Sequence, residues 1–394
     1  MRLRTLLLAL LALAAAAGGF LALLTPADRA RLLGTKPPGP SRAQAEQALT
    51  EAWKSQSDAL RPALAAEWDA KALTVEGKTL RWLERSFGDK PADGWALFIS
   101  LHGGGGAPAS VNDQQWQNQI RLYQQPGAIF VAPRAPTNNW NLWHEGHIDG
   151  LLDRLIAGAV VVRGVNPDKV YILGYSAGGD GVYQLGPRMA DRFAAASMMA
   201  GHPNDASPLN LRNLPFSIWC GGNDAAYDRN RIAGEWLAKL DELRAQDPTG
   251  YAHFGKVVPG KGHWMDLEDR AALPWMAGFT RDPWPKSVVW RQDDITHRRF
   301  YWLRVPEGVE VDAGETVRAK VEGQVISLET GQLRDLTLLL SDRLLNLDQP
   351  VTVKVKDKVV FSGSVIRNRT ATEASLRERP DPSAAATAEL TLAW

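Results

Sequence analysis

The chain has 394 residues, of which 45% are hydrophobic and 23% charged, and its 45 lysines and arginines almost balance 44 aspartates and glutamates. A net charge of +1 gives no global field to attract a polyanion, which argues against nucleic-acid binding, and the apolar content excludes a disordered chain. A single cysteine excludes an intramolecular disulfide and a cysteine-based metal cluster, whereas the 15 tryptophans are compatible with a core, an aromatic binding surface or both.

The first 24 residues predict an export segment. Arg2 and Arg4 precede an apolar run that continues to Leu24. A basic start followed by an apolar stretch is typical of a secretory signal, and about 20 apolar residues are also enough to cross a bilayer. We therefore expect residues 1–24 to be either a cleaved signal peptide or an uncleaved membrane anchor. The rest of the chain is expected in the periplasm, at the cell surface or secreted.

The central part of the chain predicts an α/β domain. Residues 25–41 are interpreted as a linker because Pro and Gly interrupt both helix and strand near its end, and Arg42 to about Ala70 is expected to form one or two helices. Further on, predicted strands alternate with helices: strands at 79–87, 95–101, 128–131, 170–174, 194–199, 216–220 and 253–258, and helices at 148–162, 177–190 and 230–244. This alternation predicts a mostly parallel sheet with helices on both faces, within a domain of residues 42–285.

Residues 286–394 predict a second, smaller unit. Short strand-like runs are separated by turn residues, and no convincing helix is evident between them. Lys356-Asp357 lies between two such runs and is expected to form a tight hairpin turn. The segment is therefore interpreted as an all-β domain of the sandwich type.

The pentapeptide Gly174-Tyr175-Ser176-Ala177-Gly178 follows a predicted strand and precedes a predicted helix. In this context a G-x-S-x-G sequence is typical of a strained turn that presents a nucleophilic serine at the N-terminus of the helix. Glycines flank such a turn because larger residues would clash with the neighbouring backbone. Ser176 is therefore the predicted nucleophile.

A second glycine-rich loop, His102-Gly103-Gly104-Gly105-Gly106, follows the predicted strand at 95–101. Acyl transfer needs backbone N–H groups that point at the developing oxyanion, and a loop without side chains allows them to approach it. We expect the N–H of Gly103 or Gly104 and that of Ala177 to form the oxyanion hole. A phosphate-binding loop is disfavoured because no Lys-Ser or Lys-Thr follows the glycines.

Two further strand ends supply the other groups that a serine nucleophile requires. Asp224 lies in a Gly-rich loop after the strand at 216–220, and His263 follows the strand at 253–258 in another Gly-rich loop. The order Ser, Asp, His predicts Asp224 as the acid and His263 as the general base, with Asp228 as the reserve acid.

With these motifs together, the chain from about Leu73 to Phe279 resembles the α/β-hydrolases, in particular the esterase, polyhydroxybutyrate-depolymerase and prolyl-oligopeptidase-like branches. The resemblance depends on H-G-G-G-G at 102–106, N-P-D-K-V-Y-I-L-G-Y-S-A-G-G at 166–179, G-G-N-D at 221–224 and G-K-G-H at 260–263. It implies a Ser176–His263–Asp224 triad that needs no cofactor. The helical extension before it and the β-domain after residue 285 lie outside the resemblance.

Several aromatic and histidine residues are expected near the predicted nucleophile. Trp140, Trp143, His202 and Trp264 are the predicted substrate-binding residues, and Trp275 is expected close by. His144-Glu145-Gly146-His147 lacks the H-E-x-x-H spacing of a zinc protease, so no metal is predicted there. Cys220 lies in an apolar strand and is expected to be an inert buried thiol.

These features together predict an exported serine hydrolase that cleaves carboxylic esters through an acyl-enzyme. Its substrate is expected to be a small-molecule or polymeric ester, neutral in charge because the chain is nearly neutral. A serine peptidase with the same triad remains an alternative, as does a catalytically silent surface or polymer-binding protein. The oligomeric state is left open.

Overall fold

A computed structural model describes residues 39–394 of the chain. The predicted export segment at residues 1–24 and most of the predicted linker lie outside the described residues. The description begins just before helix α1, where Ser41 accepts a hydrogen bond from the Gln44 N–H and the Gln44 side chain accepts one from the Ser41 N–H. This reciprocal capping fixes the start of the helix.

The first part of the structure is an alternating α/β arrangement. The helices are α1 (Arg42–Ala70), α2 (Ala109–Leu122), α3 (His147–Gly158), α4 (Ala177–Arg188), α5 (Arg229–Gln246) and α6 (Ala272–Ala277). The strands are β1 (Ala72–Val75), β2 (Lys78–Phe87), β3 (Trp95–Leu101), β4 (Ala128–Arg134), β5 (Val165–Tyr175), β6 (Ala195–Met199), β7 (Phe216–Gly221) and β8 (His253–Val258). A π-helical segment, Ala159–Arg163, continues α3.

These eight strands form one sheet in the order β1-β2-β4-β3-β5-β6-β7-β8. Pairing is parallel from β4 through β8, and β1 and β2 add an antiparallel edge. The mostly parallel sheet that the sequence predicted is confirmed. Parallel strands place their carboxyl ends at one edge of the sheet, so the loops after β3, β5, β7 and β8 come together there.

The C-terminal part contains two further sheets. Its strands are β9 (Ser287–Arg291), β10 (Arg299–Phe300), β11 (Leu303–Arg304), β12 (Thr316–Glu322), β13 (Val325–Thr330), β14 (Asp335–Leu340), β15 (Val351–Val355), β16 (Lys358–Gly363) and β17 (Ala388–Ala393). They form a four-stranded sheet, β10-β11-β14-β17, and a five-stranded sheet, β16-β15-β13-β12-β9. The predicted hairpin is confirmed: β15 pairs with β16, and Lys356 and Asp357 between them both have positive φ, as a type I′ turn requires.

The C-terminal segment was expected to contain no helix, and this prediction is wrong: helix α7 (Arg369–Glu378) lies between β16 and β17. Asn368 caps it by accepting the Ala371 N–H. The segment is rich in Arg, Thr, Glu and Ser, and Leu376 is its one large apolar side chain, so its sequence gives little signal of a packed helix. Its stability comes from packing, since Leu376 of α7 is buried against Ala52 of α1.

The predicted boundary at residues 285 and 286 lies between α6 and β9. Buried apolar side chains on both sides of it belong to one continuous cluster, which includes Ile172 and Phe216 from the large sheet and Phe300, Leu338 and Val353 from the C-terminal sheets. Within residues 39–394, no helix combines the length and apolar character needed to cross a membrane.

Candidate active site

Ser176 occupies a strained turn between β5 and α4. Its φ is 59° and its ψ is −122°, a backbone conformation that costs energy for any residue with a Cβ atom. Both flanking glycines are required by close contacts: a Cβ at Gly174 would lie 2.2 Å from the Gly178 carbonyl oxygen, and one at Gly178 would lie 2.2 Å from the Leu101 oxygen. The local sequence therefore fixes the serine at the carboxyl edge of the sheet.

Ser176 is hydrogen-bonded to His263, and His263 in turn to Asp224, the base and acid that the sequence predicted. The His263 Nε2 atom lies 3.0 Å from the Ser176 Oγ atom, and the His263 Nδ1 atom lies 2.7 Å from the Asp224 Oδ2 atom. The Asp224 side chain is almost fully buried, whereas 44% of the His263 side chain is exposed. A buried acid, a half-exposed imidazole and a serine hydroxyl are thus connected in one line.

The structure distinguishes between the two candidate acids. Asp224 lies at the carboxyl end of β7, where a Cβ at the preceding Gly221 would lie 2.0 Å from the Gly262 oxygen, so the two loops can approach this closely only with glycine there. Asp228 is exposed and pairs with Arg231 at 3.1 Å. The reserve acid therefore lies away from His263.

The loop after β3 is held by His102, whose side chain is fully buried. The Ala135 N–H donates to His102 Nε2 at 3.2 Å, which places the ring proton on Nδ1, and Nδ1 lies 2.6 Å from the Gly103 carbonyl oxygen. Burial lowers the pKa of His102 to about 4, so the imidazole is neutral. Because the trans peptide places C=O and N–H on opposite sides, this bond also orients the Gly104 N–H.

Asn112, in the first part of α2, completes the loop. Its Oδ1 atom accepts the Gly105 N–H at 2.8 Å, and its Nδ2 group donates to the Ala107 carbonyl oxygen at 3.1 Å. Gly104 has a φ of 111°, and a Cβ there would lie 2.1 Å from the Asn112 oxygen. The position therefore requires glycine for both its backbone conformation and its space.

Ser176 faces two cavities. The first, of about 540 Å³, is lined by Ser176, His263, Gly103, Gly104, Tyr175, Trp264 and residues of α2. The second, of about 370 Å³, is lined by Ser176, Gly104, Ala177, Trp140, Asp180, His202 and Arg229, among others. A substrate at Ser176 would thus have space on both sides of the bond that reacts.

The serine lies in a strained turn between a strand and a helix and is partly exposed. An acid and a histidine follow at later strand ends, and this arrangement is characteristic of one fold family. The fold is that of the α/β-hydrolases. This agrees with the resemblance implied by the motifs, which covers the chain from about Leu73 to Phe279. Helix α1 and the two C-terminal sheets are additions to that fold.

Known proteins match this chain in structure but not in sequence. No family model and no curated protein matches the chain in sequence. Among solved structures, a thermostable esterase has a TM-score of 0.41 and 16% identity, over 53% of this chain and 62% of the esterase, so the chain spans less than two thirds of that protein. A poly(aspartic acid) hydrolase from Sphingomonas has a TM-score of 0.40 and 17% identity, over 52% of this chain and 97% of its own. A poly(3-hydroxybutyrate) depolymerase from Bordetella parapertussis has a TM-score of 0.38 and 17% identity, over 52% of this chain and 87% of its own.

The tryptophans predicted near Ser176 fall into two groups. Trp264, 47% exposed, lines the first cavity, and Trp140, 63% exposed, lines the second. Trp143 is fully buried and donates through Nε1 to the His102 carbonyl oxygen at 3.0 Å, so the prediction that it contacts substrate is wrong. Trp275 is partly buried, stacks on the exposed Phe254 ring and lines neither of the two cavities. An indole in a loop after a strand can support that loop as easily as it can face a ligand, and the sequence does not distinguish the two cases.

His202 lies in the second cavity, as the sequence predicted for its loop. Its backbone N–H donates to Asp180 Oδ1 at 2.6 Å. Burial raises the pKa of Asp180 to about 6, although the hydrogen bond from the His202 N–H acts in the opposite direction and lowers it. The sequence did not predict Asp180 as a site residue. Asp180 lies in the first turn of α4, and only the folded structure brings the His202 loop, which follows β6, against it.

The His144-Glu145-Gly146-His147 segment is occupied with other contacts. Glu145 Oε1 accepts a hydrogen bond from Asn139 at 2.8 Å, and the His147 Nδ1 atom lies 3.3 Å from Glu145 Oε2.

Cys220 is buried, and burial raises the pKa of its thiol to about 12. Its placement agrees with the expected inert thiol.

Tyr175 is a further site residue that the sequence analysis did not single out, although it lies within the pentapeptide. Its hydroxyl donates to the His263 carbonyl oxygen at 2.5 Å and accepts the Met265 N–H at 3.2 Å. The histidine loop is therefore tied to the turn that presents Ser176. Tyr175 occupies a variable position of the G-x-S-x-G sequence, so the motif itself does not indicate that this residue holds the histidine loop.

Proposed function

We propose that the protein is a serine hydrolase that cleaves carboxylic esters through an acyl-enzyme intermediate. The observation that carries this proposal is the line of hydrogen bonds from Ser176 through His263 to Asp224, with distances of 3.0 Å and 2.7 Å, at a nucleophile that borders two cavities. A serine hydroxyl is a weak nucleophile until an adjacent base accepts its proton, and this geometry supplies the base.

In the proposed reaction, Ser176 Oγ attacks the ester carbonyl carbon while His263 Nε2 accepts its proton. The imidazolium then donates that proton to the oxygen of the departing alcohol, which leaves Ser176 acylated. A water molecule, deprotonated by the same imidazole, attacks the acyl-enzyme; the acyl–Oγ bond breaks, His263 returns the proton to Ser176 Oγ, and the acid is released. Asp224 accepts the Nδ1–H bond throughout, which fixes the imidazole orientation and stabilises its cationic form.

The oxyanion is proposed to accept hydrogen bonds from the N–H groups of Gly104 and Ala177. Neither N–H forms a hydrogen bond to another residue within the described part of the chain. Gly104 is favoured over Gly103 because His102 orients the peptide between them. Ala177 is the first residue of α4, where N–H groups lack partners inside the helix. Preorganised donors of this kind are often the largest electrostatic contribution to catalysis.

The test is to incubate the purified protein with a fluorophosphonate probe and with a panel of p-nitrophenyl esters and peptide anilides, beside Ser176→Ala. We expect covalent labelling and ester turnover in the wild type and a loss of at least about 10⁴-fold in the variant. Labelling that persists in Ser176→Ala would exclude this serine as the nucleophile. Anilide turnover without ester turnover would favour a peptidase, and a wild type that is neither labelled nor active would favour a silent binding protein.

We also propose that the protein is exported, on the basis of the basic and apolar character of residues 1–24. The mass of the mature N-terminus after expression with the native leader tests this. Loss of the leader indicates a cleaved signal, and retention in the membrane fraction with an intact N-terminus indicates an anchor. Full-length protein in the cytosolic fraction would contradict export.

A further inference from the structure

A separate cavity of about 310 Å³ adjoins the site and is lined by three arginines from three different elements. Arg85 lies on β2, Arg121 in the last turn of α2, and Arg270 in the short turn Glu268–Ala271 before α6. The remaining lining residues are neutral: Leu122, Tyr123, Gln124, Gln125, Leu273 and Pro274. The chain is nearly neutral as a whole, so this concentration of positive charge is local.

The three guanidinium groups are unpaired. Within residues 39–394, no side-chain hydrogen bond or salt bridge involves Arg85, Arg121 or Arg270, and all three residues are exposed. Arg85 stacks over the Phe87 ring at 4.9 Å, a contact that orients the guanidinium plane and leaves its N–H groups free.

The acid next to Arg270 does not offset this charge within the cavity. Asp269 is fully buried, and its Oδ2 atom accepts a hydrogen bond from the buried Tyr123 hydroxyl. Burial raises the pKa of Asp269. Glu268 lies 4.0 Å from Lys256 instead.

Three unpaired positive charges around one cavity create a local positive potential that favours the binding of an anion between them. Guanidinium groups match carboxylates and phosphates geometrically because two parallel N–H bonds can reach two oxygens. Two of the lining residues, Arg121 and Leu122, also line the cavity that contains Ser176 and His263. An extended ligand at Ser176 can therefore pass along the end of α2 and reach the arginines.

We propose that Arg85, Arg121 and Arg270 form an anion-binding subsite that holds a carboxylate or phosphate group of the ester substrate, remote from the bond that is cleaved. This assignment rests on the proposed ester hydrolysis for its substrate part, whereas anion binding itself is independent of catalysis. It replaces the expectation of a neutral substrate, since a near-zero net charge says nothing about how charge is distributed.

The first experiment measures binding without turnover. Ser176→Ala protein is titrated calorimetrically with inorganic phosphate and with glutarate at low and high sodium chloride. We expect saturable binding that weakens with salt and falls about tenfold or more when Arg85→Gln, Arg121→Gln and Arg270→Gln are combined. A matched control replaces three exposed arginines elsewhere, Arg42→Gln, Arg231→Gln and Arg369→Gln, and should leave binding unchanged. No binding of either anion, or equal loss in both triple variants, would overturn the subsite.

The second experiment identifies the source of the anion. Wild-type kcat/KM is compared for p-nitrophenyl esters of dicarboxylic acids and of alkanoic acids of the same length, and for acetate esters of ω-hydroxyalkanoic acids and of plain alkanols. We expect one charged series to be preferred about tenfold at a defined chain length, with the preference lost in the cavity variant and kept in the control variant. Each preference is expressed as the ratio of kcat/KM for the charged and the matched neutral ester within one protein. A general change in turnover caused by Arg121→Gln, which also borders the Ser176 cavity, then cancels.

The two proposals fail in different ways. Anion binding without any preference for charged esters would mean that the cavity holds a free anion, which overturns its role in substrate recognition. Anion binding in a protein that hydrolyses no ester would overturn the proposed function and leave the arginine site established.

Discussion

The Ser176–His263–Asp224 line and the ionic cluster around Asp381 both place charged groups inside the protein, but they differ in how completely those groups are satisfied. In the ionic cluster, Arg281 contacts Asp381 at 2.7 Å, Arg192 contacts it at 3.2 Å, and all three side chains are almost fully buried. In the candidate site, by contrast, the His263 side chain is 44% exposed and the serine turn is strained.

The ionic cluster links the two parts of the chain. Asp381 follows α7, whereas Arg192 precedes β6 and Arg281 follows α6. Although burial opposes ionisation, the guanidinium groups of Arg281 and Arg192 hold the pKa of Asp381 well below its usual range. A closed, fully paired cluster is suited to a structural role, whereas a partly exposed group with an open side is suited to chemistry. Four predictions separate these roles.

The largest expected effect is on turnover. Asp224→Asn should lower kcat by about 10⁴-fold, because the amide favours the wrong imidazole tautomer at His263. Asp228→Asn, four residues further on, is the matched control and should leave kcat within about twofold, since Asp228 is exposed and paired only with Arg231. Steady-state kinetics on a p-nitrophenyl ester measures both. A larger loss in Asp228→Asn would reverse the choice of acid.

The next effect is on stability. Asp381→Asn leaves Arg281 and Arg192 buried without their counter-charge, and we expect the free energy of unfolding to fall by about 3–5 kcal/mol. Glu322→Gln, which breaks an exposed pair with Lys320, should change it by less than about 0.5 kcal/mol. Urea denaturation measures these values, and kcat per folded molecule should stay constant. Equal effects in the two variants would contradict the structural role of the cluster.

The third prediction concerns acid: the stability contributed by the buried His102 and that contributed by Asp381 should be lost in different pH ranges. The pKa of His102 is lowered to about 4 by burial, from an ordinary 6.5. The unfolded chain therefore binds this proton first, and on the order of 3 kcal/mol of stability, present above pH 6.5, is lost as the pH falls towards 4. Burial lowers the pKa of His144 in the same direction.

The stabilisation from Asp381 behaves differently, because its folded pKa is depressed. It is fully present above an unfolded value of 3.8 and declines only as the pH falls below that value. Denaturation curves between pH 7.5 and 3 resolve the two windows. In His102→Gln the slope between pH 6.5 and 4 should become shallower, and an unchanged slope would exclude His102 as a source of the acid sensitivity.

The smallest effect concerns the oxyanion loop. In Gly104→Ala the added Cβ would lie 2.1 Å from Asn112 Oδ1, at a φ of 111°, so the loop must shift. We expect kcat to fall about 10²-fold with a smaller change in KM, as for the loss of one oxyanion donor. Gly260→Ala is a control with an added Cβ in open space and a similarly positive φ of 74°, and it should retain most activity.

Much of the fold could be predicted from the sequence because the buried strands are continuous apolar runs. Strands β3 and β8 have the predicted bounds. Helices α2 and α7 were not predicted, since both are mostly polar: α2 is rich in Gln and Asn, and α7 in Arg and Thr. Polar helices of this kind depend on tertiary contacts that no local pattern records.

By itself, the sequence determined the α/β class, the serine turn and the order of the three residues proposed to act together, because each depends on a local pattern of strand, glycine and loop. Only the tertiary structure decided that Asp224 contacts His263 and Asp228 does not, that Trp143 supports the His102 loop from within the core, and that Arg85, Arg121 and Arg270 share one cavity. Those outcomes depend on distances between residues far apart in the chain, which packing sets and which spacing along the sequence does not encode.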